Sequence, residues 1–306
     1  MDYEFTLNSP GGELEASFIP SLGMIGTSLR HRGEELLYQG HGLAAYVGQG
    51  SVFALPLLHP WANRLSEWEF ELAGQRVVLD PDSAICHRDG ATGAPIHGLL
   101  AASPHWSVSD TGADRLTAEL DFGAVPEYMA AFPFAHRLSY RAVLGDGGLR
   151  VELTVTASGD RPVPIAFGFH PYLALPGCER GDWELTLAVA RQVVVDERMI
   201  PTGETVGVAP GALDGRLADR SFDTGFRPLT GAPPIFAVAD ARRRISVRFA
   251  RGYPAGQVYS AEGGQFICYE PMTAPTNALI SGDGLRWVDP GAEFTAAFEI
   301  AVESLS

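Results

Sequence analysis

Two side chains in this sequence are well placed to move protons, His170 and Glu270, and each stands directly before a proline. His170 closes the apolar run Phe167-Gly168-Phe169 and is followed by Pro171-Tyr172. A residue preceding proline is disfavoured in the helical region, so His170 is expected to lie extended at a strand end. An imidazole titrates near neutrality and can serve as acid or base. Glu270 follows Gln265-Phe266-Ile267-Cys268-Tyr269, with Phe266 and Cys268 on its face, and Pro271 is expected to stop the ladder there. A carboxyl desolvated in this way keeps its proton to higher pH unless a cation offsets the burial, which makes Glu270 a general-base candidate. Taken singly, a strand-end histidine is more often a satisfied structural residue, and Glu270 has the structural alternative of a strand-end carboxylate pointing into water.

Further stretches carry polar groups that a core would not select. Pro60-Trp61-Ala62-Asn63-Arg64 sets an arginine behind a turn. Its rigid fork of donors stays charged and suits sugar oxygens or carboxylates. Ile96-His97-Gly98 offers a second histidine beside a glycine, which admits close approach of a ligand or another strand. Ser221-Phe222-Asp223 follows a loop rich in Gly, Asp and Arg, where an aspartate usually serves a turn, and Asp219 competes with Asp223 for any role. Gly256-Gln257-Val258-Tyr259 adds an amide. A metal-dependent hydrolase built on His59, His97, His170 and Asp223 is disfavoured, because no two of these histidines have the close spacing of a motif such as HExxH.

The elements that position these groups read as strands. Apolar residues alternate with polar ones over Tyr3, Phe5 and Leu7, over Leu116 to Phe122, over Leu138 to Leu144 and over Leu149 to Val155. The same period recurs from Trp183 to Val189, Ile245 to Phe249 and Phe294 to Val302. Period two marks half-buried antiparallel strands, and the 35 glycines and 22 prolines fall mainly between the runs. Helical period is confined to a single turn at 127–132, before Pro133. The expectation is an all-β chain, a large antiparallel β-sandwich with very little helix, forming one domain over residues 1–306.

Bulk composition narrows the function. Hydrophobic residues make up 46% of the 306, enough for a sizeable core. With 37 acidic against 22 basic residues, a net charge of -15 repels nucleic acids and anionic membranes, though not a small anion met by local arginines. Arg242-Arg243-Arg244, with Arg248 and Arg251, reads either as a phosphate patch or, preferably, as a charged edge strand that discourages sheet-to-sheet association. Three scattered cysteines fit reduced thiols. The opening Met1-Asp2-Tyr3-Glu4-Phe5 has no export-signal character, and no apolar run nears the roughly 18 residues of a membrane span. The expected location is the cytoplasm.

In order along the chain, the segments Pro60-Trp61-Ala62-Asn63-Arg64, His97-Gly98, Gly168-Phe169-His170-Pro171-Tyr172, Asp223-Thr224-Gly225-Phe226, Gln257-Val258-Tyr259 and Cys268-Tyr269-Glu270-Pro271 resemble the aldose 1-epimerase (galactose mutarotase) family. Asp289-Pro290-Gly291 matches its turn before the last strand. The resemblance implies a mutarotase-like supersandwich, with Glu270 as catalytic base and His170 as catalytic acid. It implies Arg64, His97, Asp223 and Gln257 as substrate-holding residues, with Asn63, Trp61 and Tyr172 flanking the pocket. Leu173 stands where the family often has an aromatic residue. No metal and no organic cofactor are implied, and the partner is a small sugar, bound by a monomer or homodimer. The activity implied is interconversion of the α and β anomers of a free aldohexose. A hexose-6-phosphate mutarotase and a non-catalytic carbohydrate-binding protein are the alternatives. In this scheme Asp223 is expected to favour a charged His170 while burial opposes it.

Overall fold

The computed structural model describes residues 3–49 and 52–305; Met1 and Asp2, which open the segment read against an export signal, lie outside them. Among the described residues the chain is an all-β sandwich of antiparallel sheets with three short α-helices. Pro126–Ala131 is the turn expected from the sequence. Leu43–Gln49 and Ala278–Ser281 were not expected, because seven and four residues are too few to show a helical period.

The larger sheet runs in the order Ser107–Thr111, Arg115–Asp121, His136–Gly145, Gly148–Ala157, Glu293–Ser304, Arg243–Arg251, Ile235–Ala239, Glu184–Thr186, Gly215–Arg216. Its register sets Tyr140 beside Leu153 and Leu153 beside Ala296, so the apolar half of each alternating run falls on one buried face. Arg150 faces the other way and donates to Glu299 at 2.6 Å. The arginine run corrects its sequence reading. Arg243–Arg251 is an interior strand, paired with Ile235–Ala239 on one side and Glu293–Ser304 on the other, so it guards no edge. Its cations are spent locally: Arg242 and Arg243 on Glu34, Arg248 on Glu299 and Arg244 on Thr186.

The second sheet runs Pro201–Gly207, Arg191–Val195, Phe222–Phe226, Ala255–Ser260, Ile267–Met272, Gly168–Phe169, Leu57–Leu58, and Tyr172–Leu173 also pairs with Ile267–Met272. Its inner face meets the larger sheet. Phe169 packs 5.9 Å from Tyr140 and 4.9 Å from Phe298, and the Tyr269 hydroxyl donates to the Ala237 carbonyl at 2.7 Å. Alternation then turns Asp223, Gln257, Tyr259 and Glu270 to the outer face. Two expectations fail in this sheet. Pro271 does not end its strand, which continues to Met272, because one missing N–H costs a ladder flanked on both sides a single bond. Asp223 belongs to a strand rather than a turn, opposite Tyr259. No helix among the described residues is long and apolar enough to cross a membrane.

Candidate active site

His170 leaves the strand Gly168–Phe169 just before Pro171, its N–H donating to the Pro56 carbonyl at 3.2 Å. Glu270 sits on the neighbouring strand Ile267–Met272. The two side chains meet: His170 Nε2 lies 3.3 Å from Glu270 Oε1, with side chains 5% and 1% exposed. Tyr172 stacks flat against the imidazole, with centroids 4.3 Å apart and planes 6° from parallel, and its hydroxyl lies 3.4 Å from Nε2. His97 approaches edge-on at 5.4 Å.

Both members of the pair are pushed towards neutrality. Burial drives the Glu270 carboxyl well above the usual carboxylate range, and the Asp223 charge adds to this while Arg64 opposes it. Burial likewise lowers His170 to about 3, against a pull from its own carbonyl, and Arg64 lowers it further. The expectation that Asp223 would charge the imidazole is therefore not met. That aspartate accepts from Arg64 Nη2 at 3.1 Å and from Gln257 Nε2 at 2.6 Å, and burial prevails at His170.

Arg64 is the hub of the polar side. Nε donates to Asp89 Oδ2 at 2.8 Å, Nη2 to Asp223 and Nη1 to Asn63 Oδ1 at 3.4 Å. Burial disfavours its charge, but the two carboxylates outweigh that and raise its pKa further. One N–H on each terminal nitrogen then remains for a ligand. Asn63 and His97 both take left-handed backbones, with φ of 59° and 65°. The His97 N–H donates to the Asn63 carbonyl at 3.1 Å, and Leu99 N–H to the His59 carbonyl at 2.7 Å, so the two segments run side by side. Gly98 permits this: a Cβ there would come within 2.2 Å of the His59 carbonyl oxygen. Close approach of another strand, rather than of a ligand, is what that glycine serves.

These groups line one pocket of 510 Å³, a size suited to a small ligand. Asn63, Arg64, His97, His170, Tyr172, Asp223 and Glu270 all reach it, and Gln257 joins through its bond to Asp223. Glu270 Oε2, His170 Nδ1 and His97 Nδ1 are buried atoms with no partner. Trp61 does not line the pocket: it is 1% exposed within the main core, as is Leu173 at 0%. Asp219 lies exposed near Arg180 and leaves Asp223 without a rival. The hydrolase ligand set does not converge, since the His59 ring turns away to His136, 2.7 Å between their Nε2 atoms. Asp89, Arg88 and Tyr259 line the pocket without having been singled out. Asp89 precedes a glycine and looked like any turn residue, whereas alternation alone would have put Tyr259 on the face of Gln257.

The family model described as aldose 1-epimerase matches residues 5–301. The chain belongs to the aldose 1-epimerase family. Membership places it among epimerase-type enzymes. An uncharacterized protein of Escherichia coli (strain K12), YihR, is 27% identical over 282 residues, covering 85% of this chain and 87% of that one. Among solved structures, a galactose mutarotase-like protein from Clostridium acetobutylicum superposes with a TM-score of 0.83 at 18% identity, covering 99% of each chain. Galactose 1-epimerase from Lactobacillus acidophilus gives 0.77 at 17% identity, covering 100% of this chain and 98% of that one. At such identities these likenesses speak for the fold.

Proposed function

We propose that this aldose 1-epimerase family member interconverts the α and β anomers of a free aldohexose such as glucose or galactose, with Glu270 as base and His170 as acid. The observation that carries the reading is the 3.3 Å contact between two buried proton carriers at the wall of a pocket that also presents Asn63, Arg64, His97 and Asp223. Ring opening needs a proton taken from the C1 hydroxyl while another reaches the ring oxygen, and closure on the other face reverses both. A pair that holds one proton between its members can do this, with Glu270 ionised and His170 protonated when the closed ring is engaged. Arg64, His97, Gln257 and Asp223, with Asn63 and Tyr172 beside them, hold the remaining hydroxyls so that C1 and the ring oxygen stay aligned with the pair. No step calls for a metal or an organic cofactor. A single domain and a cytoplasmic setting complete the proposal, the latter supported by three cysteines without a disulfide.

The test is polarimetry of freshly dissolved α-D-glucose and α-D-galactose. Wild type should speed the optical relaxation, and folded Glu270→Gln and His170→Asn should each lose about 10²–10⁴ of that acceleration. A wild type no faster than buffer on either sugar rejects this reading. One observation favours a second: exposed Arg88 lines the pocket, over the Trp68 ring at 5.3 Å and without an ion-pair partner among the described residues. It suits a hexose 6-phosphate. The same assay with glucose 6-phosphate, before and after Arg88→Ala, decides between them.

A further inference from the structure

The contact between His170 and Glu270 also specifies which form of a sugar the unliganded site fits. Both side chains are buried, and neither Glu270 Oε2 nor His170 Nδ1 has a partner. Arg64, the arginine that acts on both, is already engaged by Asp89 and Asp223, and Asp223 sets a second negative charge near the carboxyl. Tyr172, Tyr259, Cys268 and His97, the other titratable groups around the pair, are all held neutral by burial and bring no compensating charge. The Tyr172 hydroxyl, 3.4 Å from Nε2, is the one further side-chain hydrogen-bond contact to the pair among the described residues. A buried ion pair so thinly supported is costly, so the shared proton rests on the carboxyl, against a neutral imidazole. The directions of both shifts agree with this.

A neutral pair presents one donor, the Glu270 O–H, and one acceptor, His170 Nε2. A closed aldose ring asks for the reverse, since its C1 hydroxyl donates and its ring oxygen accepts. An open-chain aldose fits as the pair stands: its C1 carbonyl accepts and its C5 hydroxyl donates. Resting on the mutarotase reading above, we propose that the free site is complementary to the open-chain aldehyde, and that a closed ring is engaged only after the proton crosses from Glu270 to His170. In ring closure the C5 oxygen bonds to C1 as the C1 carbonyl π bond breaks. The C5 hydroxyl proton passes to His170 Nε2, and the Glu270 proton passes to the C1 oxygen. Return of one proton over the 3.3 Å contact restores the starting pair.

Calorimetric titration tests this with stable mimics. Gluconamide and galactonamide are open chains with a C1 carbonyl and a C5 hydroxyl. The 1,5-anhydroalditols of the same configurations keep the ring oxygen and lack a C1 donor. Wild type should bind the aldonamide at least about tenfold more tightly, the worth of one correctly matched hydrogen bond. Glu270→Gln keeps a donor facing C1, so it should hold the aldonamide within about threefold of wild type while losing interconversion. A preference under tenfold, or a larger loss in a glutamine variant with wild-type circular dichroism, overturns the proposal. The wild-type comparison stands whether or not the variant folds. Polarimetry is read separately, so a failed mutarotase reading and a failed open-chain preference are told apart.

Discussion

Glu270 and His170 are each held in the form that burial favours; the neutral carboxyl costs stability as pH rises past 4.5, and the neutral imidazole only as pH falls below 6.5. A glutamate whose folded pKa lies above the unfolded value of 4.5 stabilises the fold fully below that value and progressively less as pH rises towards the folded pKa. Glu270→Gln has no such loss. Its melting temperature should therefore gain on wild type as pH is raised from about 4.5 to 8, and a constant difference would refute the shift. Because His170 lies near 3 and Glu270 far up, the pair holds one proton across the neutral range. The relaxation rate should be level from about pH 6 to 8, falling below when a second proton arrives and above when the last departs. A fall already centred near 6.5, where a free histidine titrates, would contradict the burial. Arg64→Lys keeps the charge and loses the fork. KM should rise by about tenfold, near 1.5 kcal/mol for one charge-assisted bond, with kcat less affected. Residue types pointed to His170 and Glu270 as proton carriers, while the ordered motifs of the family resemblance, not residue types alone, brought Arg64, His97, Asp223 and Gln257 to the candidate site. They could not reveal that Asp223 serves Arg64 and Gln257 rather than His170, which depends on a 159-residue separation closing to 3.1 Å.

At the level of elements, long strands were legible and short ones were not. Gly148–Ala157 is half buried over ten residues, so its alternation shows plainly. Leu57–Leu58 and Gly168–Phe169 are two residues each and buried throughout, too short and too uniformly apolar for any period. Those short pieces nevertheless set the site, because backbone contacts rather than pattern hold them. Gly98 is the tightest such point, left-handed at φ 76° and pressed against His59. Gly98→Ala should lose about 1–2 kcal/mol from backbone conformation alone, and more from the displaced neighbour. Because His97 is its neighbour in the turn, sugar affinity should weaken along with the melting temperature. Unchanged affinity in a destabilised variant would mean that His97 does not contact the sugar.

For the molecule as a whole, the sandwich depends on aromatic packing between its sheets. Phe298, fully buried, sits 4.9 Å from Phe169, the residue next to His170. Phe298→Ala should cost about 3–5 kcal/mol and lower the urea midpoint. Turnover at low temperature should be kept wherever the chain stays folded. The layered class was evident from alternation, but the order of strands was not, because the pattern says which face is buried and not which neighbour it has. The arginine run shows the difference: its charges suggested an edge, yet it lies between Ile235–Ala239 and Glu293–Ser304, the second meeting it through Arg248 and Glu299, 51 residues apart. Glu293–Ser304 joins Gly148–Ala157 to Arg243–Arg251 at the middle of the larger sheet. A ribosome makes it after both. Until those residues emerge, the nascent chain carries two half-sheets with bare inner edges, so the sheet cannot close before this strand is made, and over that interval chaperones have most to shield.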